Sequence, residues 1–178
     1  MSDSTSLTEV VTQCHIELDE LFLLHQEAVL LGRLDEAILL LDCFGELHNL
    51  HMGLEDEELI PKLAGLSDRV RWPASLYTDE HAKIKELMGK TDANLQSLSK
   101  GQLTRKELRR GIIVFLDNEK TFKGLCEHHQ EREAAGMLAE LDKKTDIKWR
   151  KSIVKPFLKE WNDSMVRNMS IVNEIDLL

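Results

Sequence analysis

Two segments of the chain place a histidine four residues before a glutamate: "HMGLEDEELIPKL", from His51 to Leu63, and "HQEREAAGMLAEL", from His129 to Leu141. On an α-helix, residues four apart point within about 40° of each other and lie about 6 Å apart along the axis. His51 and Glu55 therefore face one space, as do His129 and Glu133. Two single histidines complete a pattern. His15 opens "HIELDELF" and His81 opens "HAKIKELM", each with Leu or Ile three residues on and Leu six residues on. The chain thus reads His, His-x-x-x-Glu, His, His-x-x-x-Glu.

If each of the four segments turns its side chain to one interior level, four imidazoles and two carboxylates converge. Packing alone does not explain such a group, because two buried carboxylates repel and each loses hydration worth several kcal/mol. Cations remove both costs. Two metal ions, each with two His ligands and both bridged by the two Glu, remove them best, since paired metals lie roughly 3.5–4 Å apart. Imidazole with carboxylate suits iron, manganese or zinc. Zinc prefers four ligands, so a six-ligand pair with open positions favours iron, then manganese.

Helices must position these residues. Apolar side chains recur at helical spacing nearly throughout, and alternating strand patterns are absent. The spacing predicts a first helix over about 6–31, ended by Gly32, and a second over about 35–63 with Asp35 as cap and a kink or stop at Pro61. "AGLSDRVRWPAS" reads as a loop. A third helix runs from Ser75 or Thr78 to about Ser99. Thr104 and Glu107 have the spacing of a capping box for a fourth, which is long enough, from Arg105 to about Lys143, to suggest a bend near Gly124. Short connections make this an all-α, antiparallel up-down-up-down four-helix bundle. "DIKWRKSIVKPFLKEWNDSMVRNM" adds an amphipathic C-terminal helix, with a kink expected at Pro156. The final "SIVNEIDLL" is apolar for a free tail.

Composition narrows the partners. The 178 residues suffice for one sizeable core. The net charge is −9 and no broad basic face is present, so neither nucleic acid nor an anionic membrane is an expected partner. No stretch approaches the roughly 20 apolar residues of a membrane span, and "MSDSTSLTEV" lacks the pattern of a signal peptide. Cys14, Cys43 and Cys126 have no CxxC spacing and fit a reducing cytoplasm.

His15, "HNLHMGLEDEELIPKL" around His51 and Glu55, "YTDEHAKI" around His81, and "CEHHQEREAAGMLAEL" around His129 and Glu133 resemble the hemerythrin-like (HHE cation-binding) domain. The resemblance covers roughly residues 7–143. It implies a hemerythrin-like bundle over 1–144 and a C-terminal extension over 145–178 that packs on the bundle or on a partner, such as a second copy of the chain. It implies a non-haem di-iron centre, with His15 and His51 on one iron, His81 and His129 on the other, and Glu55 and Glu133 bridging. Oxygen-carrying relatives have a fifth histidine one turn before the third-helix His, where this chain has Tyr77. They also use an Asp one residue further along the fourth helix than Glu133. Tyr77 is read as a phenolate ligand, as a hydrogen-bond partner of a bound oxygen species, or as part of the pocket lining.

Three functions compete. One is reversible binding of oxygen, nitric oxide or peroxide for sensing, storage or stress defence. It is favoured because the His-x-x-x-Glu order is the inverse of the Glu-x-x-His order of ferritin-like sites. The second is a di-iron enzyme that removes peroxide or nitric oxide, or donates iron for repair of iron–sulfur clusters. The third is a regulatory adaptor that reports iron through Trp149 and Trp161. Among the other candidates, His48 reads as a supporting or core histidine, although it could be an extra ligand. His25 reads as structural or surface, His128 as exposed, and Asp56, Glu57 and Glu58 as a solvated face.

Overall fold

A computed structural model describes residues 6–66 and 70–175, and among these there is no strand. The elements are α1 (Leu7–Leu30), α2 (Leu34–Leu54), a first π segment (Glu55–Leu59), α3 (Ile60–Ala64), α4 (Ala74–Lys100), α5 (Arg105–Arg132), a second π segment (Glu133–Leu138), α6 (Ala139–Lys144) and α7 (Ile147–Glu174). No described helix is long and apolar enough to cross a membrane.

Local chemistry accounts for most of the boundaries. Ser6 caps α1, its hydroxyl accepting from the Glu9 N–H. Asp142, far along the chain, adds a second cap by accepting from the Leu7 and Thr8 N–H groups at 2.8 and 3.0 Å. At the other end of α1, Gly32 takes φ +74°. There the Gly32 N–H bonds Val29 O and the Arg33 N–H bonds Ala28 O, the paired closure that a left-handed residue allows. Thr104 and Glu107 form the expected capping box. Asp35 does not cap α2; Arg33 holds that position and Asp35 lies in the first turn, where its charge still suits the helix dipole.

Four of the long helices touch in ring order. α1 packs on α2, α2 on α4, α4 on α5, and α5 closes on α1. At the centre, Phe22 lies 5.3 Å from Phe44 and 5.7 Å from Phe122, ring to ring. Leu18, Leu40, Leu47, Ile84 and Leu95 are fully buried around them, each contributing about 1.5–3 kcal/mol of burial free energy.

α7 lies on α2 and also touches α1. Trp161 is fully buried there, and its indole N–H donates to Glu17 at 2.6 Å. Ser164 and Arg167 both bond Glu46. Trp149 is half-buried beneath Lys62. Pro156 does not break α7, which runs through it. The carbonyl it deprives of a donor belongs to Ser152, an exposed residue, where water can substitute.

The irregularities fall elsewhere than expected. The second helix changes character at Glu55, not at Pro61, and Pro61 sits in the first turn of α3, where its missing N–H costs little. The fourth changes at Glu133, not at Gly124, which lies inside α5. Both π segments begin on the glutamate of a His-x-x-x-Glu pair. The near-repeat in sequence is thus a near-repeat in backbone geometry, and single π turns of this kind concentrate at functional sites.

Candidate metal centre

His15 comes from α1, His51 from α2, His81 from α4 and His129 from α5, while Glu55 and Glu133 open the two π segments. Glu55 and Glu133 are fully buried, His51, His81 and His129 are 1% exposed, and His15 is 7% exposed. Their metal-competent atoms fall into two groups. One joins Glu55, His81, His129 and Glu133; the other joins His15, His51 and Glu133; within each group the atoms lie within 4.8 Å of one another.

The Nε2 atoms all turn inward. His15 Nε2 stands 3.3 Å from His51 Nε2, and His81 Nε2 stands 2.9 Å from His129 Nε2. The carboxylates lie between the pairs. Glu133 offers Oε2 to His15 Nε2 at 2.9 Å, while its Oε1 contacts His129 Nε2 and lies 3.7 Å from His51 Nε2. Glu55 places Oε2 at 3.0 Å from His81 Nε2 and Oε1 at 3.7 Å from His51 Nε2. Each carboxylate therefore reaches toward both histidine pairs.

Two further carboxylates act from behind. His81 Nδ1 donates to Asp56 Oδ1 at 2.6 Å, and Lys85 holds the other Asp56 oxygen at 3.3 Å. His129 Nδ1 donates to Glu80 Oε2 at 2.9 Å, and Arg132 pairs with Glu80. An ionised carboxylate only accepts hydrogen bonds, so these contacts place the imidazole proton on Nδ1. In neutral His81 and His129, the Nε2 lone pairs then point at each other across 2.9 Å.

That arrangement needs positive charge between the rings. Glu55 Oε1 and both Glu133 oxygens are buried without a well-formed hydrogen bond. Three orphaned anionic oxygens beside facing lone pairs are the donor set of a cation site, and an oxygen–nitrogen set without sulfur suits a first-row transition metal. Without metal, protons take that role. Burial disfavours a charged His129, but Glu133 and Glu55 outweigh it and push its pKa up to about 10. His51 is raised in the same way, with Glu55 and Glu133 overcoming burial. Burial favours the protonated form of Glu133, yet His129, His15 and His51 hold its pKa well below the usual carboxylate range.

Tyr77 has a specific position. Its hydroxyl donates to Arg132 O at 3.4 Å and accepts from the Met137 N–H at 3.2 Å. Arg132 and Met137 are five apart, the two ends of an i→i+5 pair, so the phenol sits on the seam of the second π segment. A side chain inserted at the helix ladder is a recognised cause of local widening. Gly136 makes room for it: a Cβ there would fall 2.7 Å from the Tyr77 oxygen and 2.6 Å from the Trp72 ring. Burial raises the Tyr77 pKa, which keeps the hydroxyl protonated and able to donate.

The remaining histidines are not among the convergent donors, although the His48 ring lies 6.0 Å from that of His51. His48 is buried and stacks on Phe44 at 5.1 Å, and burial first, then the neighbouring His51, lowers its pKa well below the ordinary value. His25 is fully buried, its two nitrogens 2.8 Å from Ala37 O and 2.8 Å from Glu119 Oε1. His128 is exposed. The three cysteines are buried free thiols.

Asp56 and Glu80 are the residues that the linear pattern misses. Asp56 follows Glu55 in an acidic run, and an ideal helix turns it about 100° from its neighbour, toward solvent. In the structure it bonds His81 while its side chain stays about a third exposed. Glu80 directly precedes His81 and faces the other histidine, His129. No protein-family model, curated protein or solved structure matches the chain.

Proposed function

We propose that this chain is a hemerythrin-like protein, with α1, α2, α4 and α5 forming an up-down-up-down bundle around a non-haem di-iron centre. His15 and His51 would hold one iron, His81 and His129 the other, and Glu55 and Glu133 would bridge them. The bundle would occupy residues 1–144, and α7 would be an extension docked against it. The bound irons would supply open coordination positions and redox capacity for a small ligand: oxygen, nitric oxide or peroxide. Reversible binding for sensing, storage or stress defence is the function this set of residues supports best.

One observation carries the reading. Four inward Nε2 atoms and three orphaned carboxylate oxygens are buried together, an arrangement that a packed core does not tolerate without cations. The chain's own residues have clear tasks. Asp56 and Glu80 fix the tautomers, and the two glutamates span both positions. Tyr77 is occupied by the π segment, which supports the lining role among the three readings of this residue.

The test is anaerobic reconstitution with ferrous iron, metal analysis, and an optical spectrum after oxygen is admitted. The expected result is two irons per chain and near-ultraviolet absorption of a bridged ferric pair. A protein that binds no metal above background, with Glu55→Gln and Glu133→Gln as stable as the parent, refutes it.

A further inference from the structure

The two metal positions differ, and the difference is built from residues around the ligands. Four donor atoms, from Glu55, His81, His129 and Glu133, converge on one side, but three, from His15, His51 and Glu133, converge on the other. On the four-donor side both histidines are buttressed, His81 by Asp56 with Lys85 behind it and His129 by Glu80 with Arg132 behind it. On the three-donor side His51 Nδ1 is buried with no hydrogen-bond partner. His15 is held through Nε2 by His51 and Glu133. His15 is also the ligand nearest solvent, at 7% exposure against 1% or less for the other five.

We infer that the His81/His129 position is the tight one, filled first, and that the His15/His51 position is the weak, exchangeable one, with Asp56 and Glu80 as the positioning residues that set the difference. This rests on the proposed two-metal centre. A carboxylate on Nδ1–H makes the opposite nitrogen a stronger donor and locks the ring before the metal arrives. Lys85 bonds the Asp56 carboxylate and Arg132 pairs with that of Glu80, which holds both in place. Among the described residues no carboxylate backs Nδ1 of His15 or His51, so these two rings are held from the Nε2 side. The lower exposure of His81 and His129 acts in the same direction.

The experiment is a stepwise anaerobic titration of the metal-free full chain with ferrous iron, and in parallel with cobaltous ion, whose visible spectrum reports each site. Bound metal is counted by equilibrium dialysis. Two resolved steps of one metal each are expected. Asp56→Asn and Glu80→Gln, which keep size and an acceptor oxygen, each weaken the first step by about 10–100-fold, and they leave the second step within about threefold. His15→Ala removes the second step and spares the first. Far-ultraviolet circular dichroism and thermal melting of each metal-free variant confirm the fold, and the contrast between steps is a readout that a general loss of structure does not produce. A single unresolved two-metal step, equal weakening of both steps by Asp56→Asn and Glu80→Gln, or loss of the tight step in His15→Ala overturns the inference while leaving the two-metal centre standing. Absence of any metal binding overturns both.

Discussion

Replacing Tyr77 with Phe isolates a single hydroxyl at the seam of the second π segment. The ring is fully buried and Phe fills nearly the same volume, so the packing term is small. What is lost is the acceptor for the Met137 N–H at 3.2 Å and the weaker donation to Arg132 O at 3.4 Å. A buried donor left unpaired costs about 1–3 kcal/mol, and a net hydrogen bond is worth about 0.5–1.5 kcal/mol. The expected loss is therefore about 1–2 kcal/mol, since the backbone can recover part of the bond within the helix. For a chain of this length that lowers Tm by about 2–8 °C. Gly136→Ala approaches the same place from the other side. The added methyl meets Trp72 and Tyr77, an overpacking cost of about 1–3 kcal/mol that outweighs the modest gain Ala brings to a helix. In the double variant the contact with the Tyr77 oxygen is gone, so the two effects sum to less than their separate values. Chemical denaturation of the four metal-free proteins gives the cycle, and optical spectra of the iron-loaded forms give the second readout. The reasoning fails if the parent shows a visible phenolate-to-iron band that vanishes in Tyr77→Phe, because the hydroxyl would then belong to the metal. It fails equally if the cycle is strictly additive.

Metal loading should release protons, because iron replaces the proton that the two glutamates hold on His129 up to a pKa of about 10. Calorimetry at pH 7 in buffers of different ionisation enthalpy should show at least half a proton released per chain, and a chelator should lower Tm. In the metal-free protein the raised His129 contributes stability that is full below its unfolded value near 6.5 and fades as pH rises through about 10. Metal-loaded protein should lose this alkaline sensitivity, as melts between pH 7 and 11 would show. Asp142→Ala should cost about 1–2 kcal/mol by uncapping α1 from a distance. Burial raises the Asp142 pKa, but the Thr8 and Leu7 N–H groups more than offset it and hold it below its ordinary value. Its contribution is therefore present above about pH 4 and is lost as pH falls through the lower folded value, so the parent and the variant should converge in stability toward pH 2. Glu119→Ala should destabilise by about 1–3 kcal/mol, since it leaves the buried Nε2 of His25 without its hydrogen-bond partner, yet spare metal stoichiometry. A loss of metal in that variant would mean that His25 and Glu119 act on the centre.

Side-chain type and spacing made the helices and the six convergent residues readable, because both follow from a fixed rotation per residue. His51 with Glu55 and His129 with Glu133 needed only that rotation, and Thr104 with Glu107 needed only capping chemistry. The unread features depend on which helices lie side by side or on a departure from that rotation. An ideal helix continued past Glu55 turns Asp56 toward water. Its partner His81 lies 25 residues away in the chain, on α4. Glu80 is likewise invisible until α4 and α5 are set side by side. The role of Tyr77 depends on a widening whose only trace in the sequence is Gly136, a small residue in a helical run. The two π turns thus link local structure to chemistry. Each starts on a buried glutamate, and only the second is held by a phenol. If a phenol must hold the turn that aims Glu133 while the turn at Glu55 stands without one, the two glutamates are not equivalent. Glu133, not Glu55, is the one shared by both donor groups, and Tyr77→Phe should loosen metal through that residue alone.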